Sequence, residues 1–579
     1  MAPIRLTGIS GARGIGTGTV YVYKQEDIRI DTRTIERDAV AGEVARLQGA
    51  MEATIDQLKA VKSKAAESMG EKEAAIFEAH ILIAQDPSLV AGIQGAIESD
   101  CLSAAAATEQ TVAMYADMFS AMEDPYMRER GADIRDIGDR LLRNILGMNP
   151  RGLAHLTGQV ILVAEDLTPS DTASLDKNVV RGIITTAGGP TSHAAIMART
   201  LEIPAVMGVG SVDGVESGMK AIVKGTEGEV IVEPDEAEFA KSSEAAEAYR
   251  AHLQALKQSA SLPAVTKDNH QVLLFGNIGK AQDASHACHL GAEGIGLFRT
   301  EFLYMGHDEL PTEEEQYEVY EKVAKRLEGK PVIIRTMDIG GDKELQCLQL
   351  PKELNPFLGY RAIRICLDKP DMFKTQLRAI LRAGVWGDVQ IMYPMIASLE
   401  EVKAANALLE EAKAELRAEN VPFKENVPVG IMVEIPSVAV SAQLFAKHVD
   451  FFSIGTNDLC QYTLAVDRMN ERIGNLYQPL HPSVLRLIKN TIDASHGEGK
   501  ITGMCGEMAG DPLATMILLG IGLDEFSMSA SSIPVVKEIV RAVTIEECRE
   551  MAAHVLTLET AAEIRDYAKS VLEAKGIEL

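Results

Sequence analysis

The stretch Phe451-Phe-Ser-Ile-Gly-Thr-Asn-Asp458 shows the pattern on which the fold of this 579-residue chain depends, a short apolar run that ends in polar residues. Such a run predicts a buried parallel strand. Seven similar runs alternate with helical patterns after residue 265, and they begin at residues 272, 294, 332, 389, 429, 501 and 526. Eight strands in roughly 300 residues predict a closed (β/α)8 TIM barrel rather than an open doubly wound sheet.

Basic side chains stand at the ends of these runs. Arg299 and Arg335 end the second and third predicted strands, and Arg468 follows the sixth. Reacting groups of such barrels lie at the carboxyl ends of the strands, and guanidinium groups bind phosphate and carboxylate through paired hydrogen bonds. Any one of these arginines could be a solvated surface charge. Together they predict a site for a small, highly anionic substrate.

The same strand ends carry groups that suit a metal ion and a proton transfer. Glu434 and Asp458 end adjacent predicted strands and could share a Mg²⁺ ion with substrate oxygens, although either one alone reads as a helix cap or an ion pair. Cys505 ends the seventh strand. A cysteine is usually a buried structural thiol, but in a phosphate site its thiol could donate a proton to a developing carbanion.

A second motif lies far from the barrel, in Gly188-Gly-Pro-Thr-Ser-His193-Ala-Ala-Ile-Met-Ala-Arg199. The glycines and proline predict a tight loop, and Thr191 or Ser192 can cap the helix that follows. His193 would then lie in the first turn, where free N–H groups and the helix dipole favour an anion such as a phosphoryl group. Imidazole is also a good nucleophile near neutral pH, so His193 is a candidate phosphoryl acceptor.

The patterns predict an α/β multidomain chain. Short strands in residues 1–27 and 147–235 predict a small α/β domain that carries His193. Helical periodicity across residues 28–146 predicts an inserted bundle of four helices. Residues 236–262 are charged and alanine-rich, which predicts a linker helix between independently moving bodies, and residues 263–579 form the predicted barrel.

Composition excludes several classes of protein. The chain is 46% hydrophobic and 24% charged, has no apolar run long enough to cross a membrane and begins without the apolar core of a signal peptide. Its 7 cysteines form no CxxC pair, which fits reduced thiols. The net charge of −27 argues against nucleic acid and favours a basic protein partner. We therefore expect a cytoplasmic protein without membrane insertion.

Several motifs, in order along the chain, resemble those of enzyme I of the phosphoenolpyruvate (PEP)-dependent sugar phosphotransferase system. The resemblance covers essentially the whole length, and its segments are Gly188–Arg199, Gly291–Phe302, Arg335–Lys343, Asn355–Arg361, Glu434-Ile-Pro, Ser453–Leu459, Asp467-Arg468 and Gly503-Met-Cys-Gly-Glu507. One such motif would be weak, whereas eight in the same order are highly specific. The sequence is therefore identified as a member of this family.

The resemblance implies a role for each matched residue. His193 is the histidine that is phosphorylated on Nε2, Cys505 protonates the enolate to give pyruvate, and Glu434 and Asp458 hold Mg²⁺. The residues implied to bind PEP are Arg299, Arg335, Asn457, Asp458 and Arg468, with Lys343 and Arg361 in support. The resemblance further implies that the swivelling phosphohistidine domain passes the phosphoryl group to the phosphocarrier HPr.

The resemblance also implies that the helical insert binds HPr and that the barrel forms a homodimer. The region Glu71–Asp86, with His80 and Leu82, resembles the docking surface for the carrier. Pro190, Cys460 and Gly306-His307 depart from the commonest pattern, and Pro190 stands beside His193 where many relatives have Arg. A potential phosphate contact is therefore missing from the predicted site.

Three other functions compete with this interpretation. A pyruvate–phosphate dikinase or PEP synthase would share the histidine domain and the barrel, but the first 180 residues show no Gly-rich nucleotide loop. A Mg²⁺-dependent lyase or aldolase acting on pyruvate would leave His193 without a role. A non-catalytic regulatory protein should lack at least one of these groups, and the nitrogen-regulatory branch of the family would carry a sensory domain before the first strand.

Overall fold

The structure is a computed structural model. It describes residues 3–23, 28, 30–69, 71–121, 125–148, 153, 156–172, 175–189, 192–305, 309–340, 348, 350, 353–468, 470 and 472–577. The chain divides into two compact units, residues 1–253 and 254–579. No helix in these described ranges is long and apolar enough to cross a membrane.

The first unit contains a mixed sheet of eight strands in the order β1-β8-β7-β3-β4-β5-β6-β2. Strands β3, β4, β5 and β6 run parallel, and the remaining pairs are antiparallel. The apolar side chains of β4 are buried on both faces of the sheet. The strands are β1 Ile4–Thr7, β2 Ile9–Ala12, β3 Ile15–Val22, β4 Val160–Ala164, β5 Val180–Thr185, β6 Ala205–Met207, β7 Lys220–Lys224 and β8 Glu229–Val232.

A helical insert separates β3 from β4. The described residues form five helices there rather than the four predicted, because the pattern before residue 86 contains two helices, α1 and α2. The sequence Ser68-Met-Gly-Glu71 has the pattern of a capping box, but it includes Gly70, which lies outside the described residues. The helices are α1 Val40–Met69, α2 Glu71–Ala84, α3 Pro87–Asp100, α4 Ala104–Ser120 and α5 Pro125–Ile145.

His80 of α2 was expected on the docking surface, and that expectation is wrong. Its side chain is fully buried, Nε2 lies 3.2 Å from Asp133 Oδ1 and Nδ1 lies 3.8 Å from Asp136 Oδ2. The Asp136 carboxylate in turn accepts a hydrogen bond from Ser170 Oγ at 2.6 Å. His80 therefore belongs to a buried polar network inside the first unit, whereas Leu82, two residues further along α2, is 62% exposed.

Three further helices complete this part of the chain. They are α6 Pro169–Thr172, α7 His193–Leu201 and α8 Glu236–Gln258. Helix α8 covers most of the predicted linker, and the division between the two compact units falls within it.

The second unit is a closed barrel of eight parallel strands, as predicted. The strands are β9 Leu273–Ile278, β10 Ile295–Arg299, β11 Val332–Arg335, β12 Val389–Tyr393, β13 Val429–Val433, β14 Phe451–Ile454, β15 Ile501–Met504 and β16 Glu525–Met528. The first strand pairs with the last, which closes the sheet and removes both edges.

Helices cover the outside of the barrel and bury a large apolar core against its strands. They are α9 Ala281–His289, α10 Glu313–Arg326, α11 Ile363–Asp368, α12 Pro370–Ala383, α13 Leu399–Ala418, α14 Pro436–Val440, α15 Ala442–Phe445, α16 Thr456–Leu464, α17 Pro482–Gly497, α18 Pro512–Ile521, α19 Ile533–Ala542, α20 Ile545–Val555 and α21 Ala561–Ala574. Because the eight strands are parallel, their carboxyl ends all lie at one face of the barrel.

Candidate active site

A cavity of about 490 Å³ opens at the carboxyl ends of the barrel strands. Among the described residues that line it are seven that the sequence predicted to bind substrate or metal, together with the predicted acid: Arg299, Arg335, Arg361, Glu434, Asn457, Asp458, Arg468 and Cys505. The remaining predicted binding residue, Lys343, lies outside the described residues. Strands that are separated by up to 200 residues in sequence thus bring these groups to one place.

Arg335 lies on the floor of the cavity in a buried ion network. Its guanidinium contacts the carboxylate of Glu301, and Nη1 lies 2.9 Å from Asp338 Oδ2. Asp338 also accepts from Arg361 Nη2 at 2.9 Å. Burial alone would lower the pKa of Arg335, but Glu301 and Asp338 outweigh burial and raise that pKa above its ordinary value. The network therefore keeps Arg335 charged and fixes the direction of its fork.

Glu434 and Asp458 face this network from adjacent strands. Glu434 follows β13 and is 1% exposed, while Asp458 lies in the first turn of α16, after β14. Burial, followed by the charges of Asp458 and Asp338, raises the pKa of Glu434 well above its usual range. Asp458 Oδ1 accepts no hydrogen bond from any described residue. Arg361 and Arg468 lie 3.6 and 3.8 Å from the Asp458 carboxylate, beyond hydrogen-bond distance, so the two carboxylates present oxygen atoms of the kind that bind a hard cation.

Special backbone conformations hold these groups in place. Met395 has φ +56°, a left-handed conformation that is strained for a residue with a side chain, and its N–H donates to Glu434 Oε1. Gly340 has φ +109°, and a Cβ atom there would lie 2.4 Å from the Cβ of Arg361. Strain and close approach of this kind occur at functional sites, where the surrounding structure stabilises them.

Cys505 follows β15 and is 3% exposed. Burial raises the pKa of its thiol to about 12, with the Ser453 hydroxyl and Arg335 acting in the opposite direction. The group is therefore a neutral thiol at physiological pH. It can donate a proton to a strong base, but it is not an activated nucleophile.

Three residues stand nearer the mouth of the cavity. Arg299 is exposed there and forms no ion pair with a described residue. Removal from bulk water, followed by the charge of Arg335, lowers the pKa of Arg299 below its ordinary value. Arg468 lies 3.8 Å from Asp458, and Asn457 exchanges hydrogen bonds with the backbone and side chain of Glu507. Arg299 is therefore available to an anionic ligand.

Sequence reasoning missed Glu301 as a member of the site. Its carboxylate is 1% exposed and binds Arg335, so it orients the arginine rather than the substrate. A signal was present, because Glu301 stands two residues after Arg299 in the motif Arg299-Thr-Glu-Phe302. An acidic residue so close to an arginine that is predicted to bind substrate indicates an ion-pair partner for a basic side chain of the site.

The first unit places His193 at the start of α7, as predicted. Ser192 is the N-cap, and its side chain accepts from the N–H of Ala195 at 3.3 Å. Gly188 has φ +90°, which only glycine adopts without strain, and it begins the tight loop before the helix. Thr191 and Pro190 lie outside the described residues. His193 thus begins a capped helix whose N-terminal end favours anions.

Three matches with known protein families follow the same order along the chain. Residues 7–130 match the N-terminal domain of PEP-utilising enzymes, residues 156–228 match their mobile domain and residues 253–545 match their PEP-binding domain. Fold, site and these matches define the chain as a PEP-utilising enzyme. Such enzymes are metal-dependent in general.

Full-length relatives identify the family within this class. The chain is 47% identical to the phosphoenolpyruvate-protein phosphotransferase of Priestia megaterium, over 98% of both chains. It is 49% identical to that of Geobacillus stearothermophilus over 97% of both chains, and 49% identical to that of Haemophilus influenzae over 96% of this chain and 97% of the relative. The chain belongs to the phosphoenolpyruvate-protein phosphotransferase family and is a transferase. The resemblance and the class of enzyme expected from the sequence are thus confirmed.

Proposed function

We propose that this chain takes the phosphoryl group of PEP onto Nε2 of His193, releases pyruvate, and passes the group to a histidine of the phosphocarrier HPr. The observation that carries this proposal is the barrel cavity, which gathers four arginines, the proposed metal ligands Glu434 and Asp458, and a neutral thiol. Nitrogen-bound phosphoryl groups keep a high transfer potential, which suits His193 to a relay.

The charges in the cavity support a metal ion. Among the described residues, four arginines and five carboxylates line it, namely Arg299, Arg335, Arg361, Arg468, Glu301, Asp338, Glu434, Asp458 and Glu507. The positive charge of the arginines is thus already offset before a multiply charged substrate arrives. The described residues hold no group of three metal-ligating side chains, so the carboxylate pair would need oxygens of the substrate and water to complete a coordination shell.

Glu434 and Asp458 are the residues that would hold Mg²⁺. Their donors are all oxygens, and Asp458 Oδ1 is buried without a hydrogen bond from a described residue. Both features fit a hard divalent cation. The ion would supply charge neutralisation and orientation for the transferring phosphoryl group.

The chain's own residues carry the remaining steps. Arg299 and Arg335 bind the anionic oxygens of PEP, and Arg361 keeps Asp338 and Asp458 in position through contacts of 2.9 and 3.6 Å. When the P–O bond breaks, the enolate of pyruvate remains in the barrel. The Cys505 thiol then gives its proton to C3 of the enolate, which forms the methyl group of pyruvate.

The domain roles belong to the same proposal. We assign α8 as the linker that lets His193 alternate between substrate and carrier, and the helical insert as the HPr-binding subdomain. Leu82, Met114 and Met118 support the docking role, because all three are exposed apolar side chains in the insert. Exposed Val440 and Leu444 support a homodimer through the barrel. We also propose that the enzyme is cytoplasmic, and the net charge of −27 supports a basic protein partner.

The docking proposal is tested by replacing Leu82 with Asp. We expect phosphorylation of the enzyme by PEP to be unchanged and the KM for HPr to rise about tenfold or more, because a charge is placed in an apolar contact. Leu146→Asp is the matched control, since Leu146 is 41% exposed and also belongs to the insert. Equal effects of the two substitutions, or an unchanged KM in Leu82→Asp, would contradict the docking surface.

A further inference from the structure

A buried carboxyl group lies inside the barrel and takes no part in the reaction described above. Glu525 is the first residue of β16 and is 2% exposed. A Cβ atom on Gly503 would lie 3.0 Å from its carboxyl carbon, and one on Gly296 would lie 2.3 Å from Oε1. Two glycines, on β15 and β10, therefore leave the space that the carboxyl group fills.

The Glu525 carboxyl group and the buried Ser453 hydroxyl group lie in one row of paired residues across three neighbouring strands. Gly503 pairs with Glu525 on one side and with Ser453 on the other. Neither Glu525 Oε1 nor Ser453 Oγ has a hydrogen-bond partner of standard geometry among the described residues. Buried polar atoms in this condition are normally satisfied by an ordered water. The two groups can therefore each exchange a hydrogen bond with a water between them.

Cys505 lies close enough to this pair for both groups to act on its thiol. It stands two residues beyond Gly503, so the two positions face the same side of the strand and lie about 7 Å apart. The Ser453 hydroxyl is close enough to influence the pKa of the Cys505 thiol. A carboxyl group over Gly503 is too far away for a direct hydrogen bond to the sulfur, but one hydroxyl or water can bridge the gap.

We propose that Glu525 returns a proton to Cys505, through the Ser453 hydroxyl or a water beside it, after Cys505 has protonated the enolate. This inference rests on the proposed role of Cys505. In the first step a C–H bond forms on the enolate, the S–H bond breaks and a thiolate remains. In the second, the O–H bond of Glu525 breaks, Ser453 passes a proton on and the S–H bond re-forms. The resulting carboxylate then takes a proton from water.

The surroundings of Glu525 agree with this direction of transfer. Burial, and after it the charge of Asp524, raises the pKa of Glu525 to about 8, so the carboxyl group is protonated at neutral pH. The Cys505 thiolate is the stronger base. The carboxylates of Asp524 and Glu293 already bind other groups. Asp524 accepts a hydrogen bond from the Thr502 N–H and contacts His496, and Glu293 accepts one from the Leu274 N–H. Of the titratable groups at the carboxyl ends of β10 and β15, Arg299 and Cys505 line the cavity.

The proposal is tested by rapid-mix measurement of pyruvate formation from PEP with Mg²⁺ and excess HPr. Glu525→Gln has the same shape but no acidic proton, and Ser453→Ala removes the bridge. In both variants the first turnover should be as fast as in the wild type, because Cys505 starts as a thiol. The steady-state rate of both variants should then be at least tenfold below that of the wild type. Glu525→Asp should recover part of the rate. Glu293→Gln is the matched control and should behave as wild type.

The pH profile separates a proton relay from a merely structural role. The wild-type steady-state rate should fall as pH rises through the pKa of Glu525, about 8, because only the protonated carboxyl group can donate. Glu525→Gln should lose this dependence. The relay would be overturned if the steady-state rate were unchanged in both Glu525→Gln and Ser453→Ala. It would also be overturned if the rate of the first turnover and the steady-state rate fell equally. Persistence of the first turnover in Cys505→Ala would instead overturn the role of Cys505.

Discussion

Replacing Glu434 with Gln is expected to lower PEP-dependent phosphorylation by about 10³-fold or more while making the metal-free protein more stable at alkaline pH. The loss of activity follows from removing one of the two proposed metal ligands. The gain in stability follows from removing a buried acid that is forced to ionise as pH rises. We expect Mg²⁺ to raise the melting temperature of the wild type and to leave that of Glu434→Gln unchanged.

The sign of the stability effect follows from the raised pKa of Glu434. Between the ordinary pKa of a glutamate and the raised value, the folded state holds a proton that the unfolded state has lost. The free energy of unfolding of the wild type therefore falls as pH rises through this window. Gln cannot ionise, so the variant should gain about 1–3 kcal/mol relative to wild type at the alkaline end and little at pH 5.

Glu525→Gln is the matched control for this experiment, because Glu525 is also buried with a raised pKa but lies away from the metal ligands. It should show the same change of stability with pH and should keep the stabilisation by Mg²⁺. Stabilisation of Glu434→Gln by Mg²⁺ to the wild-type extent would contradict the assignment of the metal site.

The second large effect is expected from the two arginines, and it differs between them. Arg299→Met should lower kcat/KM for PEP by about 10²–10³-fold and leave unfolding unchanged. Arg299 is exposed and forms no ion pair with a described residue, so its loss leaves no carboxylate uncompensated. Arg335→Met should lower kcat/KM at least as much and also destabilise the barrel by about 3–5 kcal/mol. Its loss leaves Glu301 and Asp338 buried without their counter-charge.

Steady-state pyruvate release and denaturant unfolding measure the two quantities separately. Arg549→Met is the control, because Arg549 lies on α20 with a 60% exposed side chain and should change neither. Wild-type kinetics in Arg299→Met would remove this residue from the substrate site. If Arg335→Met were as stable as the wild type, the ion network would not contribute to the stability of the barrel around the cavity.

The barrel and most of its site could be predicted from sequence because both depend on local patterns. Each strand is a short apolar run, and most of the residues that line the cavity stand at or just after the end of such a run, so closing the barrel brings them together. His193 was equally predictable, because its loop and N-cap are encoded by adjacent residues.

Other features depend on which side chains meet across the fold. His80 lies in a periodic helix, but its burial is decided by Asp133 and Asp136 of α5, more than fifty residues away. Glu525 looks like an ordinary acidic residue before an apolar run, and only the register of β15 against β16 places it over Gly503. The described part of the insert has five helices rather than the four predicted, although a sequence signal for the start of α2, Ser68-Met-Gly-Glu71, was present.

The most direct test of the central claim is the intact mass of the protein after incubation with PEP and Mg²⁺ at mildly alkaline pH, with His193→Ala measured alongside. We expect the wild type to gain one acid-labile phosphoryl group, which chelation of the metal prevents and HPr removes. The variant should gain none. An adduct of the same size on His193→Ala, or consumption of PEP without any adduct on the wild type, would contradict the phosphohistidine relay, and the second result would favour a lyase.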